Sequence, residues 1–218
     1  MENKPKKIGF LFDLDGVIID SEKEYSKIWA QINQEFPSGT DNLEQVIKGS
    51  TLTKILNDHY PDEKIKIAVA TRLHELENRM RYNYLPYAKE FLEEIQKLNI
   101  SSALVTSSDD EKMNHLKEEI PNLLDFFEYV VTGDQVKTSK PSPEGYLLAA
   151  TKLNCEISDC VVFEDSLQGV MAGKNSGALV VGVCGTLSPE KLSPYSDFLV
   201  NNFNELDLND LFVKLSER

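Results

Sequence analysis

Cysteine is scarce in this 218-residue chain: Cys155, Cys160 and Cys184 are an odd set of three that leaves one thiol unpaired in any disulfide scheme. None of them forms the C-x-x-C spacing that zinc or a redox pair would use, so reduced, mostly buried thiols are expected. Histidine is equally rare. His59, His74 and His115 are scattered at no spacing suited to metal or catalysis, and surface or packing roles are expected for all three. Positive charge is also short, with 23 Lys and Arg against 36 Asp and Glu and a formal net charge of −13. A nucleic-acid or anionic-membrane partner is therefore not expected, because both need a positive surface. A small anionic substrate stays open if positive charge is supplied locally. No apolar run approaches the roughly 18 to 20 residues of a membrane helix. The basic segment Met1 to Lys7 leads into a run that Asp13 interrupts, without a small-residue cleavage site. A soluble, cytoplasmic protein is expected, with a monomer as the default.

Hydrophobic residues make up 41% of the chain, enough for one large domain or for one that carries a smaller one. Short apolar runs bounded by turn residues recur at Ile8 to Phe12, Ser102 to Val105, Tyr129 to Val131, Cys160 to Phe163 and Leu179 to Val183, and each predicts a buried strand. Between them lie stretches with helical spacing, around Phe91 to Leu98, Met113 to Ile120, Tyr146 to Leu153 and Val170 to Asn175. This alternation predicts an α/β fold, a Rossmann-like parallel sheet covered on both faces. Ser142 before Pro143 predicts a helix start with proline at the first helical position, and Gly177 predicts a helix stop. One region breaks the alternation. From about Asp20 to Tyr82 only helical stretches occur, at 21–36, 42–48, 51–60 and 62–82, which predicts an all-helical domain inserted after the first strand. The expected division is a core of 1–18 with 83–218 and a helical cap of 19–82.

Parallel sheets bind ligands at the carboxyl ends of their strands. At those ends stand Asp13 and Asp15, then Thr106, Ser107 and Ser108, then Lys140 after the third run and its loop, then Glu164 and Asp165. An aspartate at the end of a buried strand costs free energy unless something compensates its charge. Four carboxylates at neighbouring strand ends would repel by about 4 kcal/mol for each unit pair at about 4 Å. A magnesium ion suits such a cluster, because it takes oxygen ligands and the set holds no imidazole or thiolate. Lys140 adds a second positive charge, and the Thr and Ser hydroxyls can hold phosphate oxygens. These residue types together point to phosphoryl transfer.

Asp13-Leu14-Asp15-Gly16-Val17, Thr106-Ser107-Ser108, Lys140-Pro141-Ser142-Pro143 and Glu164-Asp165-Ser166 resemble, in order and spacing, the four motifs of the haloacid dehalogenase-like hydrolase superfamily, in the branch with a helical cap after the first motif. The resemblance implies Asp13 as nucleophile and metal ligand, and Asp15 as acid/base whose backbone carbonyl also binds the metal. It implies Thr106, Ser107 and Lys140 at the phosphoryl group, and Asp165 on magnesium with Glu164 in the same acidic set. Dehalogenation is not implied, since the dehalogenases lack the second aspartate that is Asp15 here.

Within the branch the chain looks most like the β-phosphoglucomutase and sugar-phosphatase group, so the implied substrate is a small phosphorylated metabolite, a sugar phosphate first. Two departures count against a mutase. Tyr25 stands where the mutase has a histidine, and Lys48-Gly49-Ser50-Thr51-Leu52 lacks the mutase's phosphate-binding arginine. Lys48, Gly49 and Tyr25 are the cap residues expected to face substrate, whereas Trp29 is expected to pack inside the cap. Arg72, Arg79 and Arg81 are expected to pair with glutamates along their own helix. Gly169, early in a predicted helix, suggests a close backbone approach. The competing readings are a phosphosugar mutase with the same phosphoenzyme and a non-enzymatic, receiver-like phospho-accepting domain. Receivers are much shorter and carry no helical insertion.

Overall fold

The apolar runs become one six-stranded sheet. The computed structural model, which describes residues 6–218, pairs β1 (Gly9–Phe12), β2 (Ser101–Val105), β3 (Tyr129–Val131), β4 (Cys160–Glu164), β5 (Leu179–Val183) and β6 (Phe198–Val200). Their order is β3-β2-β1-β4-β5-β6, and every neighbouring pair is parallel. Strands β1, β2, β4 and β5 are buried along their whole length, as a sheet covered on both faces requires. β6 is the strand that the apolar pattern does not predict. Three residues at the sheet edge, two of them partly or fully exposed, are too few to show a period.

Four helices follow β1 with no strand among them: α1 (Glu22–Glu35), α2 (Leu43–Val46), α3 (Leu52–His59) and α4 (Glu63–Glu77). They form the helical cap. The remaining helices are α5 (Ala88–Lys97), α6 (Asp110–Glu119), α7 (Glu144–Leu153), α8 (Leu167–Ser176), α9 (Pro189–Leu192) and α10 (Leu208–Ser216). None of the helices in the described residues is long and apolar enough to cross a membrane.

Side chains alternate across β1 and thereby join two different cores. Phe10 and Phe12 face Phe91 of α5, Phe163 and Phe203, with the Phe12 and Phe163 rings stacked at 4.5 Å. Leu11, between them, faces Val162, Tyr146 and Ala150 of α7 and Val170 of α8. Full burial of each such side chain contributes about 1.5–3 kcal/mol.

Helix ends follow local chemistry. The Asp62 carboxylate accepts from the Lys64 and Ile65 amides at 2.8 and 3.1 Å and starts α4. Gly177, at φ +91°, stops α8 where a side chain would be strained. α7 starts one residue later than the proline rule predicts, with Pro143 at the cap position and the Ser142 hydroxyl accepting from the Glu144 amide at 3.3 Å. The stretch expected to be helical from 62 to 82 ends at Glu77. Past that point the chain must turn back to the core, where the Asp20 amide bonds the Asn83 carbonyl and the Leu85 amide bonds the Ile18 carbonyl, each at 2.9 Å. The two chain segments joining cap to core therefore run side by side.

Candidate active site

Strand register brings the predicted residues together. Phe12 lies opposite Leu104 of β2 and Phe163 of β4, so the next residues along, Asp13, Val105 and Glu164, are level, with Thr106 and Asp165 one step beyond. The Asp13 amide still bonds the Phe163 carbonyl at 3.0 Å, and the Thr106 amide bonds the Val131 carbonyl at 2.9 Å. Ladder bonds thus hold the backbone under the site. The chain runs from β1 to β2 on one side and returns to β4 on the other, so these residues stand where strand order reverses.

Lys140 sits at the centre of the acidic group. Its ammonium donates to Asp13 Oδ1 and Glu164 Oε1, both at 2.5 Å, and to the Val105 carbonyl at 3.3 Å. Burial opposes the charge of Lys140, yet the adjacent Asp13 and Glu164 carboxylates hold its pKa above the usual lysine value. Glu164 is fully buried, and both of its oxygens are engaged. Oε1 also accepts from the Tyr146 hydroxyl at 2.7 Å, while Oε2 accepts from the Asp165 amide at 3.1 Å and the Ser166 hydroxyl at 3.1 Å. Gly169 explains how a carboxylate fits there: a Cβ at that position would lie 1.8 Å from Glu164 Cδ. The close backbone approach expected at Gly169 is therefore present.

One lysine does not balance this group. Burial, helped by Glu164 and Asp15 and opposed by Lys140, pushes the Asp13 carboxyl up to about 8. Asp165 is driven well above the carboxylate range by burial and then by Glu164. Its Oδ2 atom is buried and has no hydrogen-bond partner. Ligand atoms of Asp13, Glu164 and Asp165 all lie within 4.8 Å of one another. An all-oxygen donor set, an excess of negative charge and an orphaned oxygen together fit a magnesium ion. Gly16 shapes the same corner, since at φ +77° its Cβ would fall 1.9 Å from Asp165 Oδ2.

Asp15 turns toward the cap. Its carboxylate accepts from the Ser21 hydroxyl, from Ser108 Oγ at 3.2 Å and from Lys112 Nζ at 2.5 Å. Thr106 is buried beside Asp13, and its hydroxyl accepts from the Ser108 amide at 3.0 Å. Ser107 lines the cleft, but its hydroxyl donates to the Gly49 carbonyl at 2.9 Å, a bond between core and cap.

A cleft opens between these residues and the cap. Lys48, Gly49 and Tyr25 all line it. Each is already engaged. Lys48 pairs with Glu22, Gly49 bonds Ser107, and the Tyr25 hydroxyl donates to Glu77 Oε1 at 2.6 Å. Trp29 is buried among cap residues as expected, although it also reaches the cleft wall.

Three residues of the site, and His74 beside it, escape sequence reasoning. Lys112, only 4% exposed, bonds Asp15 and lies 4.1 Å above the Tyr25 ring, linking core to cap. In the string Asp109-Asp110-Glu111-Lys112 it reads as one more solvated charge at a helix start. Glu22 and Glu77 read equally as surface charges, yet both line the cleft. His74 goes beyond the surface or packing role expected of it. Its Nε2 lies 3.0 Å from Asp109 and its Nδ1 2.8 Å from Glu111, because α4 packs against α6 of the core. Of the cap arginines, Arg72 pairs with Glu75 as expected and also with Glu35 of α1, while Arg81 reaches Glu119 of the core.

The haloacid dehalogenase-like hydrolase family matches this chain over residues 10–183. The chain belongs to that family. Relatives include the phosphorylated carbohydrates phosphatase of Thermotoga maritima, 33% identical over 190 residues that cover 83% of this chain and 87% of the relative. Another is the validoxylamine A 7'-phosphate phosphatase of Streptomyces hygroscopicus subsp. limoneus, 28% identical over 207 residues, 90% of this chain and 94% of the relative. Among solved structures, a β-phosphoglucomutase from Clostridium difficile superposes with a TM-score of 0.80 at 24% identity, covering 97% and 98% of the two chains, a likeness of fold. With the family and its phosphatase relatives in view, this chain is a phosphatase enzyme of the haloacid dehalogenase-like kind.

Proposed function

We propose that the chain is a magnesium-dependent phosphatase acting on sugar phosphates through an aspartyl phosphate on Asp13. The observation that carries this reading is the convergence at one sheet end of Asp13, Thr106, Lys140 and an Asp165 oxygen without a partner. The relatives named for phosphorylated carbohydrates and for validoxylamine A 7'-phosphate support the substrate class.

Asp13, Asp165 and the Asp15 backbone carbonyl would hold the metal, which supplies neutralising charge to the transferring phosphoryl oxygens. Glu164 serves better as the anchor of Lys140 than as a ligand, because both of its oxygens are taken. Lys140 holds Asp13 Oδ1, leaving Oδ2 to attack phosphorus. As the Asp13–phosphorus bond forms, the bond to the sugar oxygen breaks, and Asp15 delivers a proton to that oxygen. Water then attacks the acyl phosphate while Asp15 takes its proton, which restores Asp13 and releases inorganic phosphate. Thr106 would hold a phosphoryl oxygen through both steps, while Lys140, its three donors engaged by Asp13, Glu164 and the Val105 carbonyl, lends the site its positive charge. The segment 19–82 acts as the cap, whose closure keeps bulk water from the acyl phosphate.

Hydrolysis is favoured over mutase chemistry. No arginine lines the cleft among the described residues, and Tyr25, bonded to Glu77, occupies the position of the mutase histidine. The test is a panel of sugar phosphates assayed for inorganic phosphate with and without magnesium, with product stereochemistry read from a chiral phosphate. Magnesium-dependent release with overall retention is expected. Inversion, or accumulation of an isomeric sugar phosphate primed by a bisphosphate, would overturn it.

A further inference from the structure

The part of the cleft away from Asp13 is where the remainder of the substrate must lie. Its charged lining is Glu22, Glu44, Glu77 and Asp109 against Lys48 and Lys112. Neither lysine is free. Lys48 is paired with Glu22 and Lys112 with Asp15, and the two side chains are only 16% and 4% exposed. A second phosphate or a carboxylate on the substrate would find no uncommitted cation there, and would lie among carboxylates that repel it.

The same lining suits hydroxyl groups. Glu22, Glu44, Glu77 and Asp109 are acceptor groups along the wall, although Glu77 is 4% exposed, with Oε1 bonded to Tyr25 and a buried Oε2 lying 4.0 Å from His74 Nε2. Trp29, Ile47 and Leu52 add apolar surface on which the C–H faces of a carbon skeleton can rest. A site built this way rejects a body that leaves its buried polar groups unpaired, and a charged body still more strongly.

We propose that this half of the cleft selects a monophosphate whose remaining body is uncharged and rich in hydroxyl groups, and excludes a body bearing a second anionic group, with the Lys48–Glu22 pair as the discriminating element. This rests on the phosphatase reading and narrows its substrate class. If Glu22 withholds Lys48, then removing the charge of Glu22 releases a cation into the cleft and relaxes the exclusion.

The experiment compares kcat/KM for a hexitol 6-phosphate, phosphoglycolate, fructose 1,6-bisphosphate and p-nitrophenyl phosphate. In the natural protein the hexitol phosphate should exceed phosphoglycolate and the bisphosphate by about tenfold or more. Glu22→Gln should raise the ratio of bisphosphate to hexitol phosphate by about tenfold, and the double variant Glu22→Gln with Lys48→Met should lose that gain. Bisphosphate or phosphoglycolate turned over as well as the hexitol phosphate, or a ratio that Glu22→Gln leaves in place, would overturn the proposal. Calorimetric titration of the same ligands into Asp13→Asn protein ranks them without turnover. Absence of p-nitrophenyl phosphate cleavage therefore counts against the phosphatase reading, whereas an inverted affinity ranking counts against the selectivity.

Discussion

The two ends of the cleft are held by different forces. At the phosphoryl end, Asp13, Thr106 and Asp165 ride on strands whose register is set by ladder hydrogen bonds, and Lys140 reaches them by 2.5 Å contacts inside the core. At the other end, Glu22, Tyr25 and Glu77 ride on cap helices and Lys48 on the turn after α2, where they are placed by pairing with one another and with Lys112 of the core. The first arrangement persists wherever the sheet is folded. The second travels with the cap and faces the chemistry only while the cap rests on the core, so it can adjust to substrate without disturbing the phosphoryl end.

Substitutions can break this contrast, most sharply at the phosphoryl end. Asp13→Asn should abolish magnesium-dependent release of phosphate from an aryl phosphate, since no other group stands in place to attack. Asp15→Asn should lower kcat by roughly 10² to 10⁴ for a sugar phosphate, and less for an aryl phosphate whose leaving group needs no proton. Similar losses on both substrates would remove Asp15 from its acid role. Lys140→Met leaves Asp13 and Glu164 buried without their cation, which should cost about 3–5 kcal/mol in urea unfolding. Retained stability would mean that the acidic group is compensated by something other than this lysine.

Two smaller effects sharpen the comparison. The folded-state value for Asp13 is about 8, raised from 3.8, so the folded chain binds its proton more tightly than the unfolded chain does. Stability from this group is then full below about pH 4 and is lost as pH rises through about 8. Metal-free protein should melt at progressively lower temperature across that window, and saturating magnesium should flatten the slope. A melting temperature that rises with pH in the metal-free protein would contradict the assignment. At the cap end, Tyr25→Phe removes the hydrogen bond to Glu77, worth about 1 kcal/mol, and should change KM more than kcat. A fall in kcat alone would tie Tyr25 to the chemistry instead.

How far each end could be read in advance follows the same division. Asp13, Thr106, Lys140 and Asp165 announce themselves because each follows an apolar run or its loop, and a carboxylate there has no structural reason to exist. β6 and the true end of α4 were less legible, since a three-residue edge strand has no period and α4 stops where the chain must turn back to pair with Ile18 and Asp20. Lys112 and Glu77 could not be found by pattern. A lysine after Asp-Asp-Glu, or a glutamate near a helix end, looks the same whether it faces water or a cleft.

Patterning along the chain therefore decides the sheet, its helical insertion and the residues at the strand ends, because burial on both faces demands unbroken apolar runs and any interruption stands out. Which charges face the substrate, and which lysines are already neutralised, depends on how α1 and α4 lie over α6. Those pairings join residues far apart in the chain: Lys112 with Asp15 inside the core, Lys48 with Glu22 inside the cap, and Lys112 with the Tyr25 ring and His74 with Asp109 where cap and core are packed together.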